Sequence, residues 1–322
     1  MNSFGTVEAC WVITDGRIGI QNQCLGLAEA IGLPIEVKTV NPRAPWTWVP
    51  VTMWPRPFAA LPPDGPKFEP PWPRLVIACG WRSIPYVLAI KRLSGGATFS
   101  VQLQDPRIAL THFDLVVPPE HDRVVGANVI TSFGSPNRVT PEKLTAAAAQ
   151  WAPRFDQLPH PRVGVLLGGD SNSHRFRERD AAQLALRLKK LTDDGFSLIV
   201  TPSRRTGEAQ TRAIARALEG TKSFVWDGVG DNPYFAILAL SDALLVTDDS
   251  TNLLTEAAST GKPLHILTIP GGSPKFDRLH ESLITRGVAR PFTGRIENWH
   301  YEALNETPRI AAEIKRRMAL VN

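Results

Sequence analysis

The chain has 322 residues, too many for one ordinary hydrophobic core and enough for two domains of about 150 residues each. With 43% hydrophobic and 21% charged residues it is globular in composition, and no stretch approaches the roughly 18 uninterrupted apolar residues of a membrane span. A net charge of +5 favours an anionic ligand or membrane face. The basic residues form no dense tract, so we expect no nucleic-acid partner.

The cysteines and histidines predict neither a metal site nor a redox motif. There are three cysteines without a C-x-x-C pair, and the seven histidines form no H-x-H or H-E-x-x-H pattern. Cys10, Cys24 and Cys79 lie in apolar runs and are expected to be buried thiols. Because the first residues do not resemble a secretory signal, we expect a cytoplasmic protein and allow for peripheral attachment to the inner face of a membrane.

In the first half of the chain, short apolar runs alternate with amphipathic helical patterns. The pattern predicts strands at 9–14, 35–40, 75–78, 99–103, 115–117 and 129–131, and helices at 21–31 and 83–93. Such alternation indicates parallel strands joined by crossover helices.

The second half repeats this rhythm more clearly. The pattern predicts strands at 163–167, 197–201, 223–226, 243–247 and 264–267, and helices at 180–191, 208–218, 233–240, 252–259, 276–286 and 309–318. Two prolines interrupt the pattern between 155 and 162, which predicts domains at 1–158 and 159–322. The expected architecture is α/β, with two doubly wound Rossmann-like domains facing each other across a cleft.

One segment of the first domain, 41–74, breaks the pattern. It holds 11 of the 28 prolines, so neither a helix nor a central strand is expected. It also holds Trp46, Trp48, Trp54 and Trp72. One interpretation is an irregular excursion packed by its own aromatic residues. The other is an amphipathic surface for a lipid-linked acceptor or a membrane, in which Arg43, Arg56 and Lys67 lie between the aromatic residues.

Polar loops follow several predicted strands of the first half, at the edge where open parallel sheets bind ligands. Asp15 is either a general base or a cap of the first helix. His121 is either structural or close enough to reach a ligand. The candidates in this half are, in chain order, Asp15, Arg17, Gly19, Arg82, Gln104, Asp105 and His121.

The loops of the second half carry the stronger signals. A glycine pair and small polar residues follow its first strand, where exposed N–H groups could hold a pyrophosphate. Two arginines beside hydroxyls follow the second strand and suit phosphate binding, although a solvated surface pair is the alternative. An asparagine precedes the helix at 233–240. These candidates for donor binding are Gly168, Gly169, Asp170, Ser171, Ser203, Arg204, Arg205 and Asn232.

The most informative run is 246–263. Its strand delivers Ser250 and Thr251 to the start of a helix, where both could bind phosphate. Glu256 lies one or two turns inside that helix, where a carboxylate could accept hydrogen bonds from both ribose hydroxyls. The run resembles the acidic-helix signature of GT-B glycosyltransferases, such as the peptidoglycan GlcNAc transferase.

The whole chain is more closely similar to the family of plant mitochondrial fission factors, the elongated-mitochondria proteins, and their bacterial homologues, which are described as GT-B-type glycosyltransferases. The matching segments span nearly the whole chain and read DGRIGIQNQCLGLAEAIG, CGWRSIPYVLAIKR, QLQDPR, FDLVVPPEHD, LLGGDS, TPSRRT, DNPYFAILALSDALLVTDDSTNLLTEAASTGKP and KFDRLHESL. The last predicted helix resembles the GT-B crossover helix, which packs back on the first domain.

This resemblance implies a nucleotide sugar on the second domain and an acceptor, lipid- or envelope-linked among the options, on the first. Asp15 or His121, with Asp105 as a weaker option, would deprotonate the acceptor hydroxyl. Amides and arginines would neutralise the phosphates, so no metal and no cofactor besides the nucleotide-sugar co-substrate is expected. Two other functions stay open: a non-catalytic membrane-associated adaptor of the fission-factor type, and a nucleotide-sugar 2-epimerase.

Overall fold

The computed structural model describes residues 6–321. Within these residues the chain forms two compact units, one from the residues up to Arg138 with those from Glu306 onward, and the other from Val139–Asn305. The division therefore falls at 138/139 instead of the expected 158/159, and the final segment of the chain belongs to the first unit.

The described part of the first unit contains a five-stranded parallel sheet. Its elements are β1 (Thr6–Thr14), α1 (Ile18–Ile31), β2 (Ile35–Thr39), β3 (Trp72–Cys79), α2 (Ile84–Leu93), β4 (Phe99–Leu103) and β5 (Leu115–Val117). The strand order β2-β1-β3-β4-β5 makes the sheet doubly wound. The strand predicted at 129–131 is wrong, because Val129 forms only an isolated bridge to Val116.

The described part of the second unit contains a six-stranded parallel sheet. Its elements are α3 (Pro141–Phe155), β6 (Arg162–Leu167), α4 (Glu178–Asp193), β7 (Ser197–Pro202), α5 (Glu208–Ala217), β8 (Ser223–Val225), α6 (Tyr234–Leu240), β9 (Ala243–Thr247), α7 (Thr251–Ala258), β10 (Leu264–Leu267), α8 (Pro274–Thr285) and β11 (Ala289–Pro291). The order β11-β10-β9-β6-β7-β8 is again doubly wound. The expected class, two doubly wound α/β sheets, is confirmed.

Helix α3 explains why the second unit begins before the expected boundary. Its last residue, Phe155, is fully buried and its ring meets the ring of Phe224 on β8 at a centroid distance of 5.3 Å. Trp151, one turn earlier, stacks on Phe155 at 5.5 Å. This aromatic contact ties the helix to the second sheet, whereas the prolines that suggested the boundary lie beyond it.

Alternating side chains give the first sheet two buried faces. Val12 and Ile77 belong to one cluster, which α1 and the last helix, α9 (Thr307–Val321), cover. Ile310 and Ile314, four residues apart on α9, are fully buried in that cluster, as expected for a helix that packs back on the first unit. None of the helices within 6–321 has both the length and the apolar character needed to cross a bilayer.

The proline-rich excursion and α2 together cover the other face of the first sheet. Trp54, Phe68 and Trp72 are buried there, and the indole N–H of Trp54 donates to the carbonyl of Val49 at 3.0 Å. The interpretation of an irregular layer packed by its own aromatic residues is therefore confirmed for most of the segment. Trp48 differs, because 80% of it remains exposed.

Candidate functional site

The sheet of the second unit reverses its winding between β6 and β9. The chain proceeds from β6 to β7 on one side and returns to place β9 and β10 on the other. In open α/β sheets, ligands bind at the carboxyl ends of the strands beside such a switch point. The two loops that meet here begin at Gly168 after β6 and at Asp248 after β9.

An ion pair with a buried carboxylate occupies this switch point. The carboxylate of Asp249 is fully buried, and its Oδ2 lies 2.7 Å from Nη2 of Arg205, which follows β7. A Cβ on residue 168 would lie only 2.0 Å from Asp249 Oδ1. Gly168 is therefore required for the approach of Asp249. Asp249 was not among the residues predicted from the sequence, although two adjacent aspartates at the end of a buried strand were a visible signal.

The backbone amides of the loop after β6 already have acceptors within the protein. Gly168 donates to Thr247 Oγ1 at 2.7 Å, Gly169 to Asp249 Oδ2 at 2.9 Å, Asp170 to the carbonyl of Arg205 at 3.0 Å, and Ser171 to the carbonyl of His174 at 3.1 Å. The expectation that N–H groups of this loop are exposed for a pyrophosphate is corrected by these contacts. An anion at this edge has to be bound by other groups.

The side chains of Asp170 and Ser171 organise the same loop. Asp170 Oδ1 accepts from the amide of Phe176 at 2.7 Å, and Ser171 Oγ accepts from the amide of His174 at 3.1 Å. His174 in turn forms an antiparallel bridge with Gly271, in the loop that follows β10. The loops after β6 and β10 are thereby joined at the carboxyl edge of the sheet.

Next to this junction lies a cluster of buried and half-buried titratable groups that were not predicted from the sequence. His174 Nε2 is 3.8 Å from Asp248 Oδ1, and the imidazole of His280 lies 2.9 Å from the carbonyl oxygen of Asp248. Burial, together with the neighbouring Asp249 carboxylate, raises the pKa of Asp248 to about 6. Burial lowers the pKa of both His174 and His280. Their scattered sequence positions gave no signal of this proximity.

The two predicted arginines have different environments. Arg205, besides its ion pair with Asp249, donates to the carbonyl of Asp170 at 3.2 Å. Ser203 Oγ donates to the carbonyl of Gly168 at 3.1 Å, so this hydroxyl also stabilises the loops. The side chain of Arg204 is exposed and forms neither an ion pair nor a hydrogen bond with any residue in the described range. Arg204 is thus the arginine available to a ligand.

The start of α7 lies at the same edge of the sheet. Ser250 is its N-cap, and its Oγ accepts from the amide of Leu253 at 3.4 Å. Thr251 is half-buried, and its hydroxyl has no hydrogen-bond partner in the part of the chain that the structure describes. The positive end of the helix dipole favours an anion here.

Glu256, the predicted ribose acceptor, is buried in α7. Its Oε2 accepts a hydrogen bond from the hydroxyl of Tyr234, the first residue of α6. Asn232, another predicted residue, holds the start of α6 by accepting from the amide of Tyr234 at 2.9 Å. Burial and the negative charge of Glu256 raise the pKa of Tyr234, so this phenol stays protonated as a donor.

The first unit has its own switch point between β1 and β3. Here Asp15 Oδ2 lies 2.8 Å from Nη2 of Arg17, and Asp15 Oδ1 accepts from the amide of Arg17 at 3.2 Å. Arg17 is the N-cap residue of α1 and uses no side-chain hydrogen bond for that role. Asp15 therefore stabilises the turn before the helix, and both its oxygens face Arg17.

The remaining predictions for the first unit are spread along its sheet edge. Gln104 follows β4, and its amide donates to Gln23 of α1 at 3.3 Å. Gly19 lies inside α1, and Arg82 lies over the ring of its neighbour Trp81. Asp105, after β4, is exposed, whereas His121, after β5, is buried. The strands that Asp15 and His121 follow, β1 and β5, are three strand spacings apart, roughly 14 Å.

Comparison with protein families supports the resemblance inferred from the motifs. The model of a family described as Mitochondrial fission ELM1 matches residues 18–318. The mitochondrial fission protein ELM1 of Arabidopsis thaliana is 33% identical over 279 residues, covering 78% of this chain and 65% of that protein. The chain thus spans slightly less than two thirds of this relative's length. An uncharacterized protein of Rickettsia prowazekii is 24% identical, and the match covers 95% of this chain and 97% of that protein.

Among solved structures, the fold matches a UDP-GlcNAc 2-epimerase from Methanocaldococcus jannaschii, whose crystal structure contains UDP-GlcNAc and UDP. The TM-score is 0.55 over 96% of this chain and 99% of that chain, with 11% sequence identity. At this identity the likeness concerns the fold alone. It agrees with the GT-B-like architecture expected from the sequence.

Replacing Arg205 should destabilise the second unit much more than replacing its neighbour. Arg205→Gln leaves the buried Asp249 carboxylate without its cation, and we expect a loss of roughly 2–3 kcal/mol. This loss is smaller than that expected when both partners of an ion pair are buried, because 38% of the Arg205 side chain is exposed. Arg204→Gln, the matched control, should change the free energy of unfolding by less than about 0.5 kcal/mol. Urea denaturation measures both, and equal losses would show that the ion pair is not important for stability.

The raised pKa of Asp248 predicts a pH-dependent effect on stability. A carboxyl whose folded pKa exceeds its unfolded value stabilises the fold while protonated, and this contribution is lost as pH rises from about 4 through about 6. Asp248→Asn cannot ionise. Its stability relative to the parent protein should therefore increase by about 2 kcal/mol between pH 4 and pH 7. Thermal and urea unfolding across this range test the prediction, which a pH-independent difference would contradict.

Proposed function

The chain belongs to the mitochondrial fission ELM1 family, and we propose that it acts as a glycosyltransferase whose donor is a nucleoside diphosphate sugar bound at the carboxyl edge of the second unit's sheet. In this reaction the acceptor hydroxyl loses its proton to a base and its oxygen attacks the anomeric carbon. The bond from that carbon to the diphosphate breaks, and the nucleoside diphosphate leaves.

The observation that carries this proposal is a pair of available polar groups on either side of β6. Arg204 follows β7 and Thr251 opens α7, which itself follows β9. The two loops are separated by two strand spacings, roughly 10 Å. A guanidinium suits bidentate contact with a phosphate, and a helix N-terminus attracts negative charge. A diphosphate joined to two sugars is long enough to use both groups.

The pair formed by Glu256 and Tyr234 supports a place for the ribose. A buried carboxylate accepts strong hydrogen bonds from hydroxyl groups, and Tyr234 already shows that one hydroxyl can bind there. In the proposed complex, the ribose hydroxyls share or replace that bond. The charges of Arg204 and the helix terminus stabilise the leaving diphosphate, so the proposed reaction requires no metal ion.

The proposed acceptor base is Asp15, because it lies beside the switch point of the first sheet. Its partner Arg17 is largely exposed, with a side-chain accessibility of 65%, and can move away when an acceptor hydroxyl takes its place. Asp105 is the second candidate because its carboxylate is exposed. The side chains of Asp15 and His121 are exposed to 6% and 4%, so burial does not separate them, and His121 is the third candidate because it follows β5, the strand at the sheet edge farthest from the switch point.

Arg204→Gln should weaken binding of UDP and other nucleoside diphosphates by roughly tenfold to a hundredfold, the value of a hydrogen bond to a charged group. Arg187→Gln, an exposed arginine on α4, is the control for net charge and should bind like the parent protein. Titration calorimetry with UDP, GDP, CDP and ADP measures the affinities. An unchanged affinity of Arg204→Gln would show that the donor does not bind at this edge of the sheet.

Asp15→Asn should lower sugar transfer by about 10²–10⁴-fold while donor affinity stays unchanged, because the amide keeps the shape of the carboxylate but accepts no proton. Asp105→Asn, the matched control on the same sheet edge, should retain most activity. Turnover and melting temperature are measured on the same preparations. The reverse order of effects would assign the base to Asp105, and turnover of the donor sugar without an acceptor would identify an epimerase instead.

A further inference from the structure

Two large apolar side chains on the proline-rich excursion remain in solvent. Trp48 is 80% exposed and Met53 is 67% exposed, whereas Trp54, directly after Met53, is buried. Single exposed apolar residues are common and need no explanation. These two are different because they end consecutive one-turn helices, Trp46–Trp48 and Val51–Met53, within a single segment.

The segment holds these side chains out on an ordered backbone. The amide of Trp48 donates to the carbonyl of Pro45 and that of Met53 to the carbonyl of Pro50, both at 2.9 Å. The buried Trp54 connects the two turns through its bond to Val49. Because proline and these hydrogen bonds already restrict the backbone, the segment loses less conformational entropy when it binds a surface.

The charged residues nearest to these two turns in the chain are both basic, and Asp64 and Glu69 follow only later in the segment. Arg43 and Arg56 are the only charged residues between 41 and 63. Both are exposed, and neither side chain makes an ion pair or hydrogen bond with a residue in the described range. The exposed indole and thioether suit an apolar layer, and the two unpaired guanidinium groups suit an anionic layer outside it. A lipid bilayer with anionic headgroups has that order of layers.

We propose that the turns around Trp48 and Met53 dock this protein on an anionic lipid surface. The indole and the thioether enter the interfacial layer, and Arg43 and Arg56 contact the headgroup phosphates. This attachment is peripheral and independent of the proposed glycosyl transfer.

Co-sedimentation of the full chain with vesicles tests the proposal. We expect binding to phosphatidylcholine vesicles that contain about 30% phosphatidylglycerol, weakening as salt is raised, and little binding to phosphatidylcholine alone. The double variant Trp48→Ala, Met53→Ala should bind at least roughly tenfold more weakly. Arg43→Gln with Arg56→Gln should lose roughly thirtyfold, about fivefold for each arginine near the surface.

The control pair is Leu186→Ala with Val229→Ala, two apolar residues of the second unit that are 69% and 76% exposed. It should bind vesicles like the parent protein, and all variants should keep the parent's melting temperature and calorimetric affinity for UDP. Absence of vesicle binding by the parent protein would overturn the proposal, as would full binding by the Trp48 and Met53 variant. Sedimentation velocity tests whether a second copy of the chain occupies the patch instead. A dimer that dissociates in the Trp48 and Met53 variant would assign the patch to that second copy.

Discussion

The ion pair between the buried carboxylate of Asp249 and the partly exposed Arg205 determines the arrangement of the second unit's carboxyl edge. It connects the loop after β9 to the loop after β7, and the amide of Gly169 adds the loop after β6. A carboxylate with no solvent exposure is costly unless it is paired and hydrogen-bonded. This requirement fixes the glycines at 168 and 169 and directs the neighbouring Arg204 into solvent.

A consequence is that the switch point is rigid and its polar groups are divided by role. Asp170, Ser171 and Ser203 use their side chains to hold loops together, and the amides beside them have protein acceptors. Arg204 and Thr251 lie outside this network. A ligand would therefore meet a preorganised edge at which only a few groups have to be desolvated, which reduces the cost of binding.

The first unit buries one face of its sheet in a different way, because a proline-rich layer packs beside α2 on that face. Aromatic packing through Trp54, Phe68 and Trp72 stabilises that layer without regular backbone hydrogen bonds. Short turns can hold in solvent the apolar side chains that a helix would bury along its apolar face. Trp48 and Met53 are presented in this way, so the same segment can complete the core and offer a docking surface.

Most strands and helices and the doubly wound class could be predicted from the sequence alone, because hydrophobic periodicity and turn residues act over a few positions. Helix α3 and strand β11 were not predicted, and the strand expected at 129–131 does not form. The polar loops were predicted too, since strand ends are visible in the chain. Which polar groups are available depends on tertiary contacts: Arg204 and Arg205 are adjacent and chemically identical, but Arg205 contacts the buried Asp249, more than forty residues away, and the carbonyl of Asp170. The placement of Asp15 and His121 after different strands, β1 and β5, likewise follows from strand order. Contacts between distant segments set both outcomes, and no local pattern records them.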